Sequence, residues 1–158
     1  MWEATVNNLG GDGMSEKNKA LAARIPLEAF NQGKLEVIDE VIADNSIDHG
    51  ELPPGMPAGK EGVKALVKAL RSAFPDFKIT IGLQVAEGDL VVQQATTTGT
   101  MKGAFGGMPP SGKTATWEAI HITRIKDGKI VEHWQVQDQL GMLQQLGFIP
   151  KPEAAVAR

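Results

Sequence analysis

From Phe77 to Asp138 the chain is a succession of Val-, Ile- and Thr-rich segments cut by AEGD, KGAFGGMPPSGK and KDGK, and no other feature constrains the fold as much. β-Branched residues suit a pleated surface, and clusters of Gly, Asp and Pro reverse the chain between them. The pattern predicts antiparallel hairpins. Ahead of them, Val63, Leu66, Val67, Leu70 and Phe74 form the i, i+3, i+4, i+7, i+11 stripe of an amphipathic helix, with Lys and Arg on its other side. A short helix is expected over LEVIDEVIA, and a longer one from Ser15 through KALAARIPLEAFN to a stop at Asn31 and Gly33. Pro26 removes a bond to the Ala22 carbonyl, so that helix should kink or break. DNSIDHGELPPGMPAG reads as a long loop with Asp48 and His49 at its entrance, and such loops often carry function. Helices first and hairpins afterwards give an α+β protein, its helices gathered on one face of a curved antiparallel sheet.

With 158 residues the chain makes one domain, expected over 15–150, with a polar, Gly-rich tail at 1–14 and a second tail at 151–158. A net charge of -3 and the absence of any Lys/Arg-rich window argue against nucleic acid as a partner. Without cysteine there is no disulfide, thiolate nucleophile or Cys-ligated metal. Apolar runs are too short for a membrane span and the N-terminal segment lacks signal-peptide character, so a cytoplasmic location is expected.

Asp127-Gly128 between ITRIK and KIVEHW signals a two-residue type I′ hairpin, which sets a register. Counting outward, Ile125 faces Ile130, Thr123 faces Glu132, His121 faces Trp134 and Trp117 faces Asp138, all on one face. That face, rich in Trp, His and carboxylate, reads as a pocket lining. His133 and Arg124 fall on the other face with Ile120, Ile122 and Val131. A bulge anywhere along either strand would reverse the assignment beyond it.

GMPPSGKT at 107–114 fits the phosphate-binding pattern GxxxxGK[ST], yet a strand follows instead of a helix, and Pro109 and Pro110 have no N–H for a phosphate. No nucleotide is expected. His49, His121 and His133 show no HxH or HExxH spacing, and with His133 on the far face no shared metal site is expected. Asp138 ends a strand among apolar and aromatic neighbours, a setting that suits a general acid or base, and it equally suits the N-cap of the QLGMLQQLG helix. Trp117, Trp134, Phe105 and Met101 fit either a cavity for an aromatic ligand or packing beneath the helices.

AFNQGKLEVIDEVIADNSIDHG, GKEGVKALVKALRSAFPDFKITI, EGDLVVQQATTTGTMKGAFGGMPPSGK and DGKIVEHWQVQDQLGMLQQLG resemble the successive signatures of the SnoaL-like polyketide cyclases, or ester cyclases, over about residues 15 to 147. The resemblance implies the cone-shaped α+β barrel of the nuclear transport factor 2-like superfamily, with helices packed on the concave face of its sheet. It also implies an intramolecular aldol ring closure of a hydrophobic or aromatic substrate, driven by acid/base catalysis without metal or cofactor. The WxxxD element places the acid/base role on Asp138, and His121, just before IxRxxDG, becomes the donor to the developing oxyanion. His49 matches the histidine opening the long loop. Trp117, Trp134, Phe105 and Met101 would hold a flat substrate, and Glu132 would serve a water-activating variant such as an epoxide hydrolase or dehydratase. A non-catalytic binding protein of the same fold is the alternative. A homodimer through the Ile120, Ile122 and Val131 face is expected, since that face is too apolar to meet water.

Overall fold

The computed structural model describes residues 11–152; most of the tails expected at 1–14 and 151–158 lies outside the described residues. Helix α1 (Gly11–Arg24) begins four residues ahead of Ser15. At Pro26 it passes into a π-helical turn, Ile25–Phe30, so the proline changes the winding instead of ending the helix. Arg71 donates to the carbonyls of Phe30 and Asn31 at 3.0 and 2.6 Å, answering acceptors that a helix end leaves open. The Asn31 amide in turn bridges to the backbone of Ile79, which pins this helix end to the sheet.

Helix α2 (Glu36–Val41) runs directly into strand β1 (Ile42–Asp48), and α3 (Gly59–Ala73) is the amphipathic helix expected from its stripe. Strands β2 (Lys78–Glu87), β3 (Leu90–Thr100), β4 (Thr114–Lys126) and β5 (Lys129–Gln137) precede a last helix, α4 (Gln139–Leu146). The five strands form one curved sheet in the order β1-β5-β4-β3-β2. Four of them are antiparallel neighbours, but β1 lies parallel to β5, so the sheet is mixed. The segment expected to be the start of a loop, DNSID, is thus an edge strand. Thr114 opens β4, and no helix follows GMPPSGKT.

The core forms two apolar clusters on the inner face of the sheet. One joins Ala22, Val37, Ile38, Val41 and Val67 of the helices to Val91, Ile125 and Ile130 of the strands. The other gathers Phe74, Met101, Trp117, Met142 and Leu146. What separates them along the strands is polar.

Asp127 and Gly128 both take positive φ, 50° and 70°, as a type I′ turn requires, and Ile125 faces Ile130 as expected. Beyond that pair the register departs from expectation. Arg124 faces Glu132, so Val131 is an extra residue, and the parallel pairing of β1 with β5 shifts at the same place. This bulge moves every later β5 side chain to the opposite face. His121 therefore faces Gln135 and not Trp134, Thr123 faces His133 and not Glu132, and Ala119 faces Gln137. Trp117 does not face Asp138, which lies beyond the strand. His133 shares the inner face with His121, while Trp134 and Glu132 are carried to the outer face.

Candidate active site

Strand alternation and the bulge put a polar row across the inner face, between the two apolar clusters. Gln84 pairs with Gln93, Gln93 with His121, and His121 with Gln135. Gln93 is buried and its amide donates to Gln84 at 2.8 Å. One step along the strands, Val91, Thr123, His133 and Asp48 form the next row.

These two rows meet through the histidines. His121 Nδ1 lies 3.1 Å from His133 Nε2, the rings stacked at 5.4 Å, and His133 Nδ1 lies 2.9 Å from Asp48 Oδ1. The order of bonds assigns the tautomers. An ionised carboxylate only accepts, so His133 donates from Nδ1, and in its neutral form it presents a bare Nε2. His121 must then donate from Nδ1, which leaves its Nε2 as a free base. Among the described residues that nitrogen has no partner, and it is not sealed from solvent.

Burial first, then the neighbouring His133, push the His121 imidazole down from 6.5 to about 4, with Asp48 opposing. It is neutral at neutral pH. For Asp48, burial works upward, yet the His133 bond, its charge and the backbone N–H of Gly50 together hold the carboxyl below the usual range. Gly50 N–H donates to the same Oδ1 at 2.8 Å. Asp48 is thus an ionised anchor behind two imidazoles.

The other expected site residues divide into three groups. His49, Glu132 and Trp134 lie on the outer face: His49 Nε2 is 2.9 Å from Glu132, and its ring stacks on Trp134 at 5.0 Å and 7°. Arg124 joins them, bonding Glu132 at 3.1 Å and Asp89 at 2.9 Å while lying over the Trp134 ring. Trp117, Phe105 and Met101 belong to the second apolar cluster around Phe74, Met101 being fully buried. Asp138 is exposed and caps α4, accepting from Gly141 N–H at 2.8 Å. Sequence reasoning missed Asp48 and His133 as partners of His121. The stated condition of a bulge was the one signal that could have found them.

A neutral imidazole backed by a second imidazole and a carboxylate, set between two apolar clusters, can take a proton from a small organic molecule and return it. The chain belongs to the SnoaL-like polyketide cyclase family, whose pattern matches residues 20–146, and is accordingly a cyclase-type enzyme. It is 31% identical to nogalonic acid methyl ester cyclase of Streptomyces nogalater over 122 residues, 77% of this chain and 91% of that protein. Aklanonic acid methyl ester cyclase DnrD of Streptomyces peucetius is 34% identical over 130 residues, 80% of this chain and 90% of that one. Among solved structures, TsrD from Streptomyces laurentii superposes with a TM-score of 0.76 at 28% identity, covering 85% of this chain and 97% of its own. IdmH from Streptomyces antibioticus gives 0.70 at 36% identity, with 82% and 98% coverage.

Proposed function

We propose that the protein closes a ring in a polyketide-derived ester by an intramolecular aldol reaction, with His121 as the acid/base. The observation that carries this is the chain Asp48, His133, His121, which leaves one basic nitrogen free in the inner face. His121 Nε2 removes a proton α to a carbonyl, and the resulting enolate carbon bonds to a second carbonyl carbon of the same molecule. The alkoxide then takes the proton back from His121. Atoms and charge balance, and nothing is consumed. Burial disfavours the transient imidazolium and so hastens its proton return, while Asp48, acting through His133, keeps its formation within reach. Asp138, exposed and bonded into the helix cap, is left to a structural role in this reading. A water-activating mechanism loses its second acid, because Glu132 faces the other side of the sheet.

The test is turnover of aklanonic acid and nogalonic acid methyl esters by the wild type and by His121→Gln, followed in single-turnover experiments beside melting curves. Loss of positioned proton transfer should cost about 100-fold or more with the fold intact. A folded His121→Gln protein with the wild-type rate would remove His121 as the base, and binding of either ester without turnover would favour a binding protein.

A homodimer through the outer sheet face goes with this reading. Val85, Val92, Ile122 and Trp134 align in one register row across four strands, with Ile120 facing Val136 beside it. Val136 is 77% exposed, and a continuous apolar surface of this kind marks an association site. Val131, at the bulge, is replaced in that surface by Trp134 and Val136. Val136→Lys should turn a dimer mass in light scattering into a monomer mass. No helix among the described residues is long and apolar enough to cross a membrane; a cytoplasmic location is checked by fractionation of the producing cells.

A further inference from the structure

Resting on the acid/base role proposed for His121, we infer that Gln135 is a second catalytic residue, its side-chain amide donating a hydrogen bond to the enolate oxygen. Gln135 is the register partner of His121 across β4 and β5, so the two side chains leave the same face as direct neighbours. For such a pair the Cβ atoms lie about 5 Å apart, so both side chains can reach one carbonyl and its α-carbon lying over them. The other amides of the row are committed to each other, Gln93 donating to Gln84. Gln135 is not: among the described residues its half-buried amide has no hydrogen-bond partner, and none of its polar atoms is sealed away.

The chain also makes room for it. A methyl group placed on Gly50 would come within 2.9 Å of Gln135 Nε2 and 3.0 Å of Asp48 Oδ1. The absence of a side chain there lets the amide lie beside the carboxylate end of the histidine chain. An amide is the group needed here, because a carboxylate at 135 would repel the oxyanion that His121 creates. A neutral donor stabilises it. Gly50 is on this account a positioning residue.

The probe is 2-naphthol, whose naphtholate form carries a planar oxyanion like that of an enolate. Affinity for naphtholate relative to neutral naphthol is read from the pH dependence of its fluorescence-monitored Kd. Wild type should prefer naphtholate by about ten-fold or more, as hydrogen bonds to charged groups do. Gln135→Leu should lose that preference without a matching loss in Tm, and Gln135→Glu should reverse it. In the ester assay Gln135→Leu should lose about 100-fold in kcat with KM little changed, the usual effect of removing an oxyanion donor. Equal preference in wild type and Gln135→Leu, or no preference in wild type, overturns the role of Gln135 whether or not any ester turns over. Ester turnover that depends on His121 but not on Gln135 leaves the proposed function standing and removes only this inference.

Discussion

Two histidine–carboxylate pairs join the end of β1 to β5, from adjacent residues on each side and on opposite faces. Inside, Asp48 meets His133; outside, His49 meets Glu132; both contacts are 2.9 Å. Chemistry and distance are the same, so what separates the pairs is what lies next to them. His133 passes its bond on to a second imidazole, His121, whose burial makes charge costly there and whose tautomer the bond from His133 fixes. His49 lies against Trp134 at a solvated surface, with Arg124 supplying a competing cation. A histidine beside a carboxylate is therefore no mark of catalysis by itself. The mark is a proton position dictated along a chain that ends at a free nitrogen.

The largest effect should come from unfixing that chain. Asp48→Asn keeps size, but an amide can donate as well as accept, which frees His133 to turn its proton toward His121 and close the free nitrogen of the inner face. Misplaced tautomers in comparable carboxylate-to-amide changes cost about 10,000-fold, and here a loss of at least about 100-fold in kcat is expected. Glu132→Gln measured in parallel is the control on the other face. Equal losses in both variants would dissolve the distinction between the pairs.

A second difference is thermodynamic. The folded value for His121, about 4, lies below its ordinary 6.5. Between those values the unfolded chain binds more protons, so stability is fully present above about pH 6.5 and is lost as pH falls toward 4. The loss from this group is at most about 3 kcal/mol. Asp48, held below the usual carboxylate range, adds a further loss at still lower pH. Urea melts at steps from pH 7.5 to 4 should show the decline, and His121→Gln should flatten it. An unchanged slope would mean that His121 is not desolvated in the folded protein.

The helices-then-hairpins order, the amphipathic α3, the type I′ turn at Asp127-Gly128 and the α4 cap were legible because each rests on residues within a few positions of one another. The active face was not. Its register turns on Val131, a bulge with no Gly or Pro to announce it, placed where β5 must satisfy β4 on one side and β1 on the other. β1 itself is polar, ADNSID, and reads as a loop; an edge position and a parallel partner 85 to 88 residues away make it a strand. One extra residue exchanged His133 for Trp134 and Glu132, and so a histidine chain for a supposed Trp-lined acid. His121 was read on the correct face because β4 carries no irregularity before Ile125.

Asp138 belongs with the outer pair in this comparison, as a carboxylate whose bonds are local. Asp138→Ala should destabilise by about 1 kcal/mol, the usual value of an N-cap, and leave kcat unchanged once the folded fraction is accounted for. Asp138→Asn should restore the melting temperature, since an amide oxygen also accepts from Gly141 N–H. A rate loss in Asp138→Asn at unchanged Tm would return the acid/base role to this residue and end the case for the inner histidines.

The smallest effect is expected at Glu132. Its carboxyl is held low first by His49 and then by Arg124, against an opposing contribution from burial, so it is ionised throughout the working range. Gln keeps the shape and one acceptor for His49. What is lost is a solvent-facing ion pair with Arg124, an interaction of little net worth that salt screens further. Turnover should stay within about two-fold of wild type, and whatever shift appears in Tm should shrink as salt is raised. The comparison allows one sharper result. If the outer pair held β1 in register for the inner one, Glu132→Gln would shift the His121 titration by displacing Asp48, which NMR of the imidazole nitrogens reads directly. An unmoved titration beside an unmoved rate would establish that the two faces of this strand pair work independently, with Gly50 N–H and the backbone bond from His49 N–H to the His133 carbonyl, 2.8 Å, sufficient to hold Asp48 in place.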